Sequence, residues 1–351
     1  MKPLDRYRFF ERRGRLSLLL PAIILATLWF FSGNPVLSQE EFDLWRKVKT
    51  GQERLFSWRE AAGTLASPDD SGADPWRTGL IGIEWSPITT TLGPVEAKRT
   101  AADPLWSVYT LRRFRDTGLR KGDRVVLLSS SSFPGLVFSI LAAVEHYGLD
   151  LVWIHSLGSS TWGANRPDLP WPRIASFLRK EGFISARPEW YTLGGVNETA
   201  LDMSPEGREI LTLAAEEDKA PLLDADNLDT MISMKTGIVR SAAPRLVILI
   251  GGSHSTFGGR EIVPPGGGLY DRTDLGRIDA GDGVFRKVLE DGIPVLHFLS
   301  MRSLSSAAGI PYDGRPLPRF RGGAGNLASA AGLAFFFLFL ICFRRWARDG
   351  Q

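Results

Sequence analysis

One cysteine, Cys342, stands in the 351 residues, so the chain can form no internal disulfide and no thiolate metal cluster. Histidine is scarce as well, with four in all, and none follows the HExxH spacing that places two zinc ligands on one helix face. No metal site and no cofactor are therefore expected. A glycine-rich loop ending in Gly-Lys-Ser/Thr is missing, which excludes a P-loop motor, and Gly251-Gly252-Ser253 is too short a match to a dinucleotide fingerprint. There is also no Gly-x-Ser-x-Gly elbow and no recognisable Ser-Asp-His order. A one-signed charge excess is lacking too. The net charge is +3, yet residues 1–15 carry +4 and residues 344–351 carry +2, which leaves −3 between them. The basic character belongs to the two ends, and nucleic-acid binding gains no support from it.

What is present is a repeated join. The apolar run Arg124-Val125-Val126-Leu127-Leu128 breaks into Ser129-Ser130-Ser131-Ser132, after which Pro134 and Gly135 open an apolar helical run to Tyr147. Strand, polar turn and helix in that order are half of a βαβ unit, with Ser132 expected as the N-cap. Leu151-Val152-Trp153-Ile154-His155 runs likewise into Ser156-Leu157-Gly158-Ser159-Ser160-Thr161, and Leu246-Val247-Ile248-Leu249-Ile250 into Gly251-Gly252-Ser253-His254. Ligands of open parallel sheets bind outside the carboxyl ends of the strands, so three such loops are expected to line one crevice.

The rest of the chain alternates in the same sense. Helices are expected over Pro104–Thr117, Pro172–Glu181, Ser204–Glu217, residues 226–239 and Phe285–Glu290, with short strands at Leu80–Trp85 and Ile293–Leu299. Alternating strands and helices predict an α/β fold, a layered domain on a parallel sheet. Glu40 to Ala62 reads as a helix pair interrupted by Gly51, and Gly259 to Gly276 as a glycine-rich mobile loop. No internal repeat is present.

Two apolar runs, Leu16–Phe31 and Leu327–Phe343, lie next to arginine clusters. Spans need ~20 apolar residues and positive residues stay inside, so the expectation is two transmembrane helices with both ends cytoplasmic. A cleavable signal peptide is the rival for the first run, although Val36-Leu37-Ser38 is a poor cleavage site. The expected order is a basic tail (1–15), an anchor (16–37), juxtamembrane helices and linker (38–79), the exported α/β domain (80–313), a linker (314–326), a second span (327–343) and a basic tail (344–351). That places the chain in a bacterial cytoplasmic membrane with its centre extracytoplasmic.

Several segments are more specific than the fold pattern. They are Ile88-Thr89-Thr90-Thr91-Leu92-Gly93 with Glu96-Ala97-Lys98-Arg99-Thr100, then Ser132-Phe133-Pro134 and Gly158-Ser159-Ser160-Thr161-Trp162-Gly163-Ala164-Asn165. Leu201 to Ile210, Asp291-Gly292-Ile293-Pro294-Val295 and Gly309-Ile310-Pro311-Tyr312 complete the set. Through them, residues 80–313 resemble the poly-gamma-glutamate system protein family of bacterial poly-γ-glutamate synthesis and export. The resemblance implies a membrane accessory that binds the anionic polymer or its synthesis and export proteins. The alternative is an exported enzyme that hydrolyses or transfers γ-glutamyl chains.

For the first reading, the candidate ligand-binding residues are the hydroxyls and amides of the loops with a few cations. They are Lys98, Arg99, Ser130, Ser131, Ser132, Ser159, Ser160, Thr161, Asn165, Gly251, Gly252, Ser253 and Arg302. Hydrogen bonds to a carboxylate are about twice as strong as neutral ones, so a few suffice for each repeat of a long polymer. For the second reading, His155 and His254 sit at strand ends as candidate acid and base. Ser159 and Ser160 are not expected to be core residues. No full set of acid, base and nucleophile emerges, which favours binding over catalysis.

Overall fold

A computed structural model describes residues 37–64, 72–259 and 265–320, with isolated helical positions at 22, 332, 334–339 and 341. The chain divides into two compact units, Ser38–Leu317 and the joined ends Met1–Leu37 with Pro318–Gln351. Everything below concerns the first unit unless stated.

The order is α1 (Gln39–Ala61), β1 (Thr89–Thr91), α2 (Val95–Ala101), α3 (Leu105–Asp116), β2 (Arg124–Ser130), α4 (Pro134–Tyr147), β3 (Asp150–Ser156) and β4 (Ser159–Ser160). There follow α5 (Trp171–Lys180), β5 (Trp190–Thr192), α6 (Pro205–Asp218), α7 (Leu228–Ala242), β6 (Leu246–Ile250) and the single turn α8 (His254–Phe257). β7 (Gly268–Tyr270), α9 (Val284–Glu290), β8 (Val295–Phe298) and α10 (Met301–Ala308) complete it. The main sheet has the order β5-β3-β2-β6-β8-β7, parallel throughout except for β7, which runs antiparallel to β8. β1 pairs with β4 in a separate parallel ribbon.

The expected α/β class with a mostly parallel sheet is what forms. Val126 and Leu128 of β2 share a buried cluster with Val239 of α7 and Phe285 and Val288 of α9. Successive side chains of a strand point to opposite faces, so Val125 and Leu127 serve the other layer. On that other face Trp106 of α3 meets Phe298 of β8 edge-on, with ring centroids 6.0 Å apart.

Residues 39–61 form one helix rather than two. It starts on a capping box in which Ser38 Oγ accepts from the Glu41 amide and Glu41 returns a bond to the Ser38 amide. Gly51 does not break the helix; it admits the Phe138 ring, whose nearest atom would lie 2.6 Å from a Cβ at that position. Leu80–Trp85 is not a strand. The segment is tied instead by Asn165, whose amide bonds both the Ile83 N–H and the Ile83 carbonyl. Ser132 is not the N-cap of α4 either: Phe133 occupies that position without a side-chain cap.

The two-span expectation is corrected. Among the described residues no helix is long and apolar enough to cross a membrane. Crossing hydrocarbon needs ~20 apolar residues in one helix. All of the first run except position 22, and all of the second except positions 332, 334–339 and 341, lie outside the described residues. The transmembrane order and the membrane location with an extracytoplasmic centre fall with this finding. The segment expected to be juxtamembrane, α1, packs on α3, α4 and α5.

Candidate functional site

β2 is followed by β3 on one side, while β6 is followed by β8 on the other, so strand order reverses between β2 and β6. A crevice opens where diverging connections leave the carboxyl ends of such strands. One of about 1100 Å³ lies there, lined by Ser130 and Ser132 at the end of β2, Ser156 and Gly158 at the end of β3, and Gly251, Gly252, Ser253 and His254 after β6. Leu299 to Ser303 close it beyond β8, and Thr90 to Lys98 form the facing wall. The three expected loops thus share one site.

The four-serine run divides by strand alternation. Ser129 and Ser131 turn inward, where their hydroxyls hold the two ring nitrogens of His155, with Nδ1 2.8 Å from Ser129 Oγ and Nε2 2.9 Å from Ser131 Oγ. His155 is fully buried among Trp153, Trp171 and Tyr191, and burial pulls its pKa down to about 3. It is a neutral packing residue, and it does not reach the crevice. Ser130 and Ser132 turn outward. Ser132 N–H donates to Ser130 Oγ at 3.1 Å, and Ser130 Oγ donates to Ser132 Oγ at 3.0 Å.

The Ser-Thr-Trp-Gly-Ala-Asn string is explained by packing against this run. Ser159 is buried and donates to Ser131 O at 3.1 Å, and Ser160 is buried as well, so neither is the surface residue that was expected. A Cβ at Gly163 would collide with Ser159 Oγ and Ser131 O. Thr161 is also buried, bonded to both the N–H and the carbonyl of Gly93 at 2.7 Å. Asn165 is fully buried and holds the 83–89 segment beneath the β1 wall. Of this string only Ser160 lines the crevice.

Lys98, on α2, is 3% exposed and reaches from the wall to the floor. Its Nζ donates to Ser132 O at 2.6 Å and Ser160 Oγ at 2.5 Å, and lies 3.9 Å from the Phe133 ring centroid. Burial lowers its pKa from 10.5 to about 7. Arg302 stands exposed at the mouth, 4.2 Å from the ring centroid of Tyr312. Neither cation pairs with a carboxylate among the described residues. Arg99 points elsewhere: it bonds the carbonyls of Gly72 and Ala73 and pairs with Asp313.

The opposite wall carries residues that sequence reasoning missed. Glu198 is buried, paired with Lys235 of α7 and bonded by the hydroxyls of Ser253 and Ser255. Burial pushes its carboxyl up, but Lys235 and the two hydroxyls outweigh that and hold it below the usual range. Asn197, Glu198 and Ala200 all adopt left-handed backbone, at φ 58°, 61° and 55°. Each such residue costs roughly 1 kcal/mol or more, and strain of this kind collects at ligand sites. His254 Nδ1 accepts from the Asn197 N–H at 3.1 Å, which ties this strained loop to the end of β6. No group of three or more His, Cys, Asp or Glu side chains suited to a metal ion occurs among the described residues.

No protein-family model matches the chain, and no curated protein does. One solved structure, an open conformation of 2-hydroxyisobutyryl-CoA ligase in complex with 2-HIB-AMP and CoA, aligns at 16% identity with a TM-score of 0.16. The alignment covers 48% of this chain and 28% of that one, and a likeness at that score carries no argument about fold or activity.

Proposed function

We propose that the crevice holds a carboxylate-bearing chain of the γ-glutamyl class, and that the protein serves the synthesis or export of poly-γ-glutamate by engaging that polymer. The observation that carries this reading is the pair of basic groups at the crevice, Lys98 at the floor, only partly protonated at neutral pH, and the Arg302 guanidinium at the mouth, neither matched by a carboxylate among the described residues. Of the acidic groups lining the crevice, Glu198 pairs with Lys235 and Asp202 accepts from the Val196 N–H at 2.6 Å, while Glu96 on α2 makes no ion pair among the described residues. An incoming carboxylate would meet a lysine that lacks a counter-charge, and the outward hydroxyls of Ser130 and Ser132. Charge-assisted bonds of this kind are short and strong for their number. A long polymer then gains avidity from its many identical repeats.

Calorimetric titration of the full chain with poly-γ-glutamate tests the reading. Binding is expected at low ionic strength, with Arg302→Ala weakening it roughly tenfold, as loss of a charged hydrogen bond of ~1.5 kcal/mol implies. Absence of heat with poly-γ-glutamate, at a concentration where the protein is folded, would refute it.

A further inference from the structure

Lysine is seldom buried, and when it is, a carboxylate normally accompanies it. Lys98 has none among the described residues. Its Nζ is held instead by a carbonyl (Ser132 O, 2.6 Å), a hydroxyl (Ser160 Oγ, 2.5 Å) and the face of Phe133. The carbonyl and the ring fix the amine in place; the hydroxyl is the group it addresses. With the pKa drawn down to about 7, the free amine is well populated at neutral pH and can accept the Ser160 proton. Ser160 in turn lines the crevice. Its N–H donates to Ser132 Oγ at 3.0 Å, and Ser130 Oγ donates to the same atom. Ser132 Oγ therefore accepts twice and keeps its own proton to donate. The other charged or titratable groups lining the crevice are Glu96 on α2, Arg302 on α10 with Tyr312 beside it, and Glu198, Asp202 and His254 on the far wall.

We infer that Ser160 and Lys98 are the nucleophile and general base of an amide-cleaving site whose substrate is a γ-glutamyl chain. The inference rests on the reading of the crevice given above and adds a reaction to it. Ser160 Oγ attacks the amide carbonyl carbon as Lys98 Nζ takes the hydroxyl proton. The oxyanion meets the Ser132 hydroxyl. The C–N bond then breaks, and the Lys98 ammonium gives its proton to the departing nitrogen, leaving an ester on Ser160. Water attacks that ester, losing a proton to Lys98. The ester C–O bond breaks, and the proton returns to Ser160 Oγ. The net change is amide plus water to carboxylic acid plus amine. An amine in place of water would give transfer with the same balance.

The test uses the full chain with poly-γ-glutamate, reading new amino groups and polymer length, and in parallel a fluorophosphonate probe, reading the labelled residue by mass. Cleavage is expected to rise as pH increases through about 7, where Lys98 loses its proton. Ser160→Ala, a small change, should keep the polymer bound and lower cleavage about 10²- to 10⁴-fold. Lys98→Arg keeps the charge but supplies no base, and should lower cleavage and labelling by a similar factor. Polymer bound with neither cleavage nor a label on Ser160 would overturn the dyad while leaving the binding role intact. A Lys98-dependent label on Ser160 without polymer binding would support the dyad and overturn the γ-glutamyl substrate. Neither binding nor label would overturn both.

Discussion

At the scale of single residues, the serine run shows why a list of candidates does not make a site. Four consecutive hydroxyls read alike in sequence, yet alternation sends Ser129 and Ser131 to His155 and leaves only Ser130 and Ser132 at the crevice. His155 itself has a measurable consequence. Its pKa is near 6.5 unfolded and about 3 folded, because burial disfavours the imidazolium. The unfolded chain therefore binds the proton first, and the stability this histidine contributes, complete above 6.5, is lost as pH falls toward 3. At pH 5 the loss is about 2 kcal/mol, fixed by the unfolded value because the folded one lies far below. Asp103 runs the other way, since burial raises its carboxyl to about 7 and its share of stability is lost as pH rises through that value. Comparing wild type with His155→Gln separates the two. In urea unfolding at pH 7 and pH 5, the variant is expected to show about 2 kcal/mol less acid destabilisation than wild type. Equal pH slopes would mean that His155 is not buried as a neutral ring.

At the scale of elements, periodicity revealed those whose apolar positions repeat, and missed those held by distant partners. Helices α3, α4, α5, α6, α7 and α9 and strands β2, β3, β6 and β8 were legible because each carries its own pattern. β5 and β7 were not, since three-residue edge strands acquire their register only from the neighbours they join. The loop containing Glu198 was opaque for a similar reason. Its burial depends on Lys235, 37 residues away. Gly51 illustrates the converse error, in which a residue taken as a helix break is a packing requirement. Alanine there would favour the isolated helix by about 1 kcal/mol. Its Cβ, however, would stand 2.6 Å from one ring atom of Phe138 and 3.1 Å from Phe183. Rings packed in a core cannot retreat that far without strain, and overpacking costs roughly 1–3 kcal/mol. Gly51→Ala is therefore expected to lower stability by about 1 kcal/mol net, measured by the urea midpoint. A more stable variant would show that the helix can shift off α4.

At the scale of the whole molecule, the position of the site was legible before its chemistry was. Three strands ending in polar loops implied a crevice at one sheet edge, and the reversal of strand order between β2 and β6 explains why it opens there. What remained hidden was the pairing of Lys98 with Ser160. These residues are 62 positions apart, brought together by the β1–β4 ribbon that local sequence does not disclose. The apolar ends were expected to span a membrane from their length and flanking arginines, whereas no helix among the described residues is long and apolar enough to do so. The most direct test of the crevice is to map where the polymer lies on the full chain. Poly-γ-glutamate carrying photoreactive groups, crosslinked to the protein and digested, is expected to mark peptides containing Leu92–Lys98, Ser130–Phe133, Ser160 and Leu299–Ser303. Crosslinks concentrated instead at the opposite sheet edge, around Arg120–Asp123 and Ala243–Arg245, would contradict the assignment.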